Sequence, residues 1–483
     1  MKRVLAAFFY GVMGVLVCAV ALLIVQVRNR PDLSVWHLAH LEAEYSAERY
    51  REVTDFSSYL ALEERLFQQL GEEVYQRVPD DQRGNFNRYH EGAWSDSGRS
   101  AFRGNRSYEL AHNRPRAGFL LLHGLSDSPY SLMPLAGRLH GEGAYVVGLR
   151  LPGHGTAPSG LTRVSWRDFT AAVRLAARHL AARIGPEQPL YLVGYSNGAA
   201  LSLEYALSVL EGEDLPQPAG LVLLSPAVAV SPTAVLARWL LWLSRLPGLE
   251  KLAWLDIGPE YDPYKYNSFA VNAGDQVRRL TADIRSRIEA LERGNGITGF
   301  PPVLAFVSAV DATVSASAVV NQLMARLAPE GGHQLVLFDV NRESETALFL
   351  SSDPGPYIET LMDRSNPFDL SLVTNRNPRS RWVKAVHKPA GQGTVEEENL
   401  DLAWPASVYS LSHVALPFPT DDPLYGDGNH GTGQVMTLGS LEPRGERKLL
   451  RVKTDDLMRL RYNPFYRYLE RRILKRFLAD GSK

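Results

Sequence analysis

Apolar residues run almost without interruption over residues 4–27, and the rest of the chain carries them in two other rhythms, one helical and one strand-like. As a helix the first run would be about 36 Å long, enough for a hydrocarbon core of roughly 30 Å. Its length, and its exit into Val27-Arg28-Asn29-Arg30, argue against a cleaved leader, whose apolar stretch is shorter and ends in small residues. Residues 1–30 are therefore expected to be an N-terminal transmembrane anchor. Lys2, Arg3 and the amino terminus slightly outweigh Arg28 and Arg30, which predicts an inside N-terminus and a soluble part on the periplasmic or extracytoplasmic side.

Over residues 31–115 the apolar positions first recur at helical spacing, as in WHLAHLEAEY and SYLALEERLFQQL, which predicts two or three amphipathic helices forming a collar. A polar stretch rich in Arg, Asn, Gly and Ser follows and reads as an irregular connection. From residue 116 short apolar runs alternate with helical stretches: GFLLLHG, AYVVGLRL, PLYLVGYS, GLVLLSP and PVLAFVSA. Runs bounded by Gly and Pro and separated by helices predict a buried, mostly parallel sheet of an α/β protein. HQLVLFDV (333–340) and ASVYSLSH (406–413) look like two further strands. Residues 116–230 form the first half of this core and 301–483 the second. A mostly helical insertion occupies 231–300, a second of mixed character lies near 341–405, and a basic amphipathic helix, PFYRYLERRILKRFL, closes the chain.

Composition narrows the function little but excludes some classes. The 483 residues carry 52 basic and 53 acidic side chains, with 45% hydrophobic and 22% charged, which argues against a disordered chain or a nucleic-acid binder. With 1 cysteine, Cys18, no intrachain disulfide and no cysteine-based metal site can form. Asp421, Asp422, Asp427 and Asn429 lack the ordered ligand spacing of a calcium loop, so no metal is expected there.

The chemistry concentrates in Gly194-Tyr195-Ser196-Asn197-Gly198, which follows the apolar PLYLV and precedes the helix-like AALSLEYALSVL. A serine on a tight strand-to-helix turn is lifted above the sheet, and flanking glycines relieve the crowding of that turn. Its hydroxyl needs a base, an acid to orient the base, and donors for the developing oxyanion. The backbone N–H groups of Leu125, just past GFLLL, and Asn197 are the candidate donors. Asp311 follows PVLAFVSA at the carboxyl edge of the sheet, where ligand groups gather in open α/β folds, and His413 follows SVYSL in the same way. His430, His387, His333 and His154 remain alternative bases, and Asp339, Asp256 and Asp262 alternative acids. His123 and His154 read as structural imidazoles.

HGLSDSP, Leu151-Pro152-Gly153-His154-Gly155 and GYSNG together resemble the α/β-hydrolase superfamily, in the monoacylglycerol lipase and carboxylesterase branch often grouped with serine aminopeptidases. The resemblance implies an α/β-hydrolase fold with a helical lid in the 231–300 insertion. It puts the nucleophile on Ser196, the acid on Asp311 and the base on His413. The 102 residues between the last two exceed the usual interval, and Ala199 stands where many relatives have glycine. No metal or organic cofactor is needed for such a triad. Trp239 and Trp242 in AVLARWLLWLSRL offer an apolar surface for an acyl chain, with core packing as the alternative. The expected activity is hydrolysis of carboxylic esters, with monoacylglycerols and other lipid esters among the candidate substrates, by a serine esterase held at the membrane. Aminopeptidase-type amide cleavage and an inactive binding scaffold are the alternatives.

Overall fold

A strand covered by helices on both faces needs apolar residues at every position, and the Gly- and Pro-bounded runs meet that demand. The computed structural model describes residues 2–96, 98, 104–229, 237–294, 296–343, 353–428, 437–440 and 453–479. Its strands are β1 (Tyr108–Leu110), β2 (Gly118–Leu122), β3 (Tyr145–Leu149), β4 (Leu190–Tyr195), β5 (Gly220–Leu224), β6 (Trp254–Asp256), β7 (Phe269–Ala270), β8 (Val303–Ser308), β9 (Gln334–Phe338), β10 (Asp369–Asn375), β11 (Trp382–Lys388) and β12 (Glu396–Ala403). A 10-stranded sheet runs in the order β1-β3-β2-β4-β5-β8-β9-β10-β11-β12, and β6 pairs with β7 separately. From β3 to β10 all neighbours are parallel, while β1 joins one edge and β11 and β12 the other in antiparallel register.

Because side chains alternate along a strand, one buried strand feeds two cores. In β2, Leu120 and Leu122 enter one core and Phe119 and Leu121 the other. The helices are α1 (Lys2–Arg28), α2 (Val35–Leu38), α3 (Phe56–Glu73), α4 (Met133–Gly141), α5 (Trp166–Ile184), α6 (Asn197–Leu210), α7 (Ala237–Leu243), α8 (Val271–Leu291) and α9 (Ala316–Gln322), followed by Gly355–Asp363, Thr454–Leu457 and Tyr466–Phe477. The first core gathers buried faces of α3, α5, α6, α8 and α9, and the second those of α4 and the helix Tyr466–Phe477. α5 shows how such a face is specified. Phe169, Ala172, Val173, Ala176, Ala177 and Leu180 recur at helical spacing, and Ser165 caps the start with Asp168 closing the capping box.

The expected collar is packed into the body of the protein. α3 buries Phe56, Tyr59, Leu62, Leu66 and Leu70 along one stripe. Glu63 of α3 and Glu44 hold the buried Arg150 at the end of β3, at 2.9 and 3.1 Å, and Tyr59 Oη donates to the Arg150 carbonyl at 2.6 Å. A buried guanidinium needs such paired acceptors, because an unmatched charge in the interior is strongly destabilising.

Several expectations are corrected. Among the described residues no helix is long and apolar enough to cross a membrane. The single-pass anchor over residues 1–30, the membrane partnership and the extracytoplasmic placement therefore do not stand. Residues 406–413 are not a strand. Asn341 replaces the expected ladder, donating its amide to the Tyr409 carbonyl and its side chain to that of Val408, at 2.8 and 3.0 Å. The stretch near 341–405 is no detached insertion either, since it supplies β10, β11 and β12 to the same sheet. The closing basic helix buries Tyr466, Tyr468, Leu469 and Ile473, while Arg472 bonds Ser371 and Gln334, so it is the solvated last helix of the fold.

Candidate active site

The turn between β4 and α6 is built around a strained serine. Ser196 has φ 54° and ψ −111°, a left-handed conformation that costs a residue with a Cβ of order 1–3 kcal/mol unless its surroundings impose it. They do so through backbone bonds: the Ser196 amide donates to the Leu224 carbonyl at 2.9 Å, and the Ala227 amide donates to the Ser196 carbonyl at 3.2 Å. Two glycines make room. A Cβ on Gly194 would lie 2.4 Å from the Ala199 backbone, and one on Gly198 would lie 1.9 Å from the Leu122 carbonyl oxygen.

Leu125 sits on a turn fixed in a similar way. Ser126 has φ 63°, the Asp127 amide donates to the Gly124 carbonyl, and the Tyr266 amide donates to the Ser126 carbonyl. Asn197 opens α6, so its amide belongs to the first turn, where N–H groups lack intrahelical acceptors and the helix dipole favours negative charge. Neither the Leu125 nor the Asn197 amide has a backbone acceptor among the described residues.

The sheet's carboxyl edge also gathers Asp311 and His413. Asp311 Oδ2 lies 2.8 Å from His413 Nδ1, and its Oδ1 accepts from the amides of Thr313 and Val314 at 2.8 and 2.9 Å. Burial alone would raise the Asp311 carboxyl. The hydrogen bond and charge of His413 and the two amides outweigh it and hold the carboxyl below its usual range. With Nδ1–H engaged by the carboxylate, Nε2 is the nitrogen left for a proton transfer. His413 opens the short turn His413–Ala415. Its ring centroid is 5.3 Å from that of Tyr195, whose Oη donates to the His413 carbonyl at 3.3 Å. The base candidate thus stands on the residue next to Ser196.

The alternative groups are engaged elsewhere. Asp339 is paired with Arg342 and accepts from Thr374, Asp256 faces Lys453, and Asp262 accepts from Tyr425 Oη and the amides of Tyr264 and Lys265. His387 lies on β11 against Ser371 and Glu398, and His333 accepts from the Val303 amide. His430 falls outside the described residues. His123 is fully buried, bonded through Nδ1 to the Gly124 carbonyl and through Nε2 to the Leu151 amide, and burial drives its imidazole well below the usual value. Burial likewise pushes His154 down to about 4. Both are neutral structural rings at neutral pH.

A cavity of about 520 Å³ is lined among others by Ser126 and Val414, which follow Leu125 and His413 in the chain, and by Leu255, Lys265 and Arg459; Ser196, Asp311 and His413 do not themselves line it. Trp239 and Trp242 do not line it. They lie on α7, 67% and 59% exposed, which removes core packing as their role. Among the described residues no cluster of three or more His, Cys, Asp and Glu side chains could hold a metal ion. Asp422, weighed for calcium, is buried and accepts from the Leu424 and Tyr425 amides. Sequence reasoning did not single out Tyr195 as a support or Arg459 and Lys265 as cavity groups. Tyr195 stood inside the serine motif, whereas nothing local marks the other two.

Residues 113–339 match the family described as serine aminopeptidase, S33. The thermostable monoacylglycerol lipase of Bacillus sp. (strain H-257) is 34% identical over 125 residues, 26% of this chain and 46% of that protein. The chain thus spans a little under half the length of that curated relative. Among solved structures, a metagenome-derived lipolytic enzyme of the LipS and LipT pair is 23% identical with a TM-score of 0.38, covering 48% of this chain and 86% of its own. The monoacylglycerol lipase of Paleococcus ferrophilus is 22% identical with a TM-score of 0.35, covering 46% and 83%.

Proposed function

Since the chain carries an α/β-hydrolase core of the monoacylglycerol lipase and esterase-like branch, we propose that it is a serine hydrolase cleaving carboxylic esters, lipid esters such as monoacylglycerols among them, through an acyl-enzyme. The observation that carries this reading is the hydrogen-bonded His413–Asp311 pair packed on Tyr195, the residue that precedes the strained Ser196. Ser196 Oγ attacks the ester carbonyl while His413 Nε2 takes its proton. The Leu125 and Asn197 amides hold the oxyanion, and Asp311 keeps the imidazolium oriented and compensated. The proton then passes to the leaving alkoxide, which departs as the alcohol and leaves Ser196 acylated. A water, deprotonated by the same imidazole, attacks the acyl carbonyl, and the carboxylic acid leaves with Ser196 restored.

The lid role belongs to the same reading. The insertion between β5 and β8 contributes Leu255 to the cavity wall and presents the exposed indoles of Trp239 and Trp242, a surface suited to acyl chains.

The test is a panel of glycerol monoesters of rising chain length beside matched anilides and aminoacyl amides, with Ser196→Ala as control. Ester turnover that Ser196→Ala abolishes supports the proposal, and a loss confined to long chains in Trp239→Ala supports the lid. Preference for aminoacyl amides would replace it with the aminopeptidase reading. No turnover of any substrate by folded protein would favour an inactive scaffold.

A further inference from the structure

The cavity beside His413 holds four cationic side chains, and three of them are already matched. Lys265 Nζ lies 2.8 Å from Asp127 Oδ1, Lys453 Nζ 2.5 Å from Asp256 Oδ2, and Arg461 Nη1 3.8 Å from Asp262 Oδ2. Arg461 also donates to Tyr261 Oη at 3.2 Å. Arg459 differs: among the described residues no carboxylate stands in ion-pair range of it, and its one hydrogen bond is a long 3.4 Å contact from Nη2 to Thr313 Oγ1. A guanidinium has five N–H donors, so among the described residues most of the hydrogen-bonding capacity of this half-buried group is unused.

The place of that contact matters. Thr313 donates its amide to Asp311 Oδ1, so the unmatched guanidinium stands on the side of the cavity nearest the His413–Asp311 pair. Asp455 and Asp456 also line the cavity, and neither forms an ion pair among the described residues. They disfavour general negative charge there, and a bound anion gains only where it reaches Arg459. A planar guanidinium fork matches carboxylate and phosphate oxygens in bidentate geometry.

We propose that the ester taken by this site carries an anionic group, a carboxylate or a phosphate monoester, and that Arg459 is the specificity-determining residue that binds it. The inference rests on the ester-hydrolase reading and adds the substrate class to it. Two sources of the anion share this chemistry, the acyl side and the alcohol side of the ester.

Two matched pairs separate them: methyl hexanoate against monomethyl adipate, which places a carboxylate on the acyl side, and glycerol monobutyrate against its phosphate monoester, which places the anion on the alcohol side. The readout is the ratio of kcat/KM for the anionic member over the neutral one, in wild type, Arg459→Gln and Arg459→Lys. In at least one pair the wild-type ratio is expected to be tenfold or more, as a charge-assisted bidentate contact supplies about that much discrimination. Arg459→Gln brings it down at least about tenfold and Arg459→Lys keeps part of it. Raising the ionic strength narrows the wild-type ratio, because the contact is electrostatic. Wild-type ratios at or below one in both pairs, or a ratio that Arg459→Gln leaves unchanged, overturn the inference while the hydrolase reading stands. Absence of turnover on all four esters removes the hydrolase reading and the inference with it.

Discussion

Adding one methyl group at Gly198 tests the account of the serine turn. In Gly198→Ala the new Cβ would lie 1.9 Å from the Leu122 carbonyl oxygen, 2.5 Å from its carbon and 2.7 Å from the His123 carbonyl oxygen. All three are backbone atoms at the end of β2, which is pinned by parallel pairing with both β3 and β4, so no side chain can swing aside. Ordinary contact begins at 3.4 Å, so the start of α6 must withdraw by about 1.5 Å. Oxyanion donors act at roughly 2.7–3.1 Å, and a withdrawal of that size takes the Asn197 amide out of range. Loss of one such donor costs about 10²–10³ in kcat, whereas overpacking costs about 1–3 kcal/mol of stability. The assay is kcat on glycerol monobutyrate with the thermal midpoint measured alongside. A folded variant with kcat down about a hundredfold or more is the expected result. A folded variant with kcat within about threefold of wild type would refute the proposed role of the α6 amide.

Other perturbations address the remaining parts. Asp311→Asn removes the acceptor that fixes the His413 tautomer and should lower kcat by about 10³–10⁴, read on the same ester, while the chain stays folded. Glu63→Gln leaves the buried Arg150 under-compensated and should destabilise by about 3 kcal/mol in a urea titration, with no electrostatic partner able to replace it from solvent. Asp422 has a folded-state pKa raised to about 6 by burial, against the ordinary 3.8, so the folded form holds its proton more tightly than the unfolded form. The protein therefore loses stability as pH rises from about 4 to 6 and no more above that, by up to about 3 kcal/mol. Asp422→Asn removes this dependence, and its midpoint relative to wild type should be higher at pH near 7.5 than near 4.5; an equal difference at both pH values would count against it.

What the sequence makes legible follows from where the physics is local. GFLLL, YVVGL and VLAFVS read as strands because a strand buried on both faces is apolar at every position. The antiparallel edge escapes that rule: β12 carries exposed Glu396, Glu397 and Glu398, and its partner β11 breaks its apolar positions with Lys384 and His387, so both read as a mixed insertion. ASVYSLSH carries strand-like apolar positions, but its backbone bonds go to Asn341 and Leu411 anchors it in the second core, so it traces a loop. The N-terminal run shows the converse, because apolar composition over residues 4–27 described a segment that the structure does not establish as a membrane span. For the site, the glycine-flanked Ser196 carries its own local signature. Asp311 and His413 could be placed only by their positions after apolar runs, and Arg459 has no signature because its significance lies in what surrounds it.

The central claim is that Ser196 is a nucleophile activated by His413. Intact-mass analysis after treatment with a fluorophosphonate, wild type beside Ser196→Ala and His413→Ala, followed by peptide mapping, tests it most directly. One adduct per chain on wild type, mapped to Ser196 and absent from both variants, is the predicted result. No adduct on folded wild-type protein, or one that persists in Ser196→Ala, would contradict it.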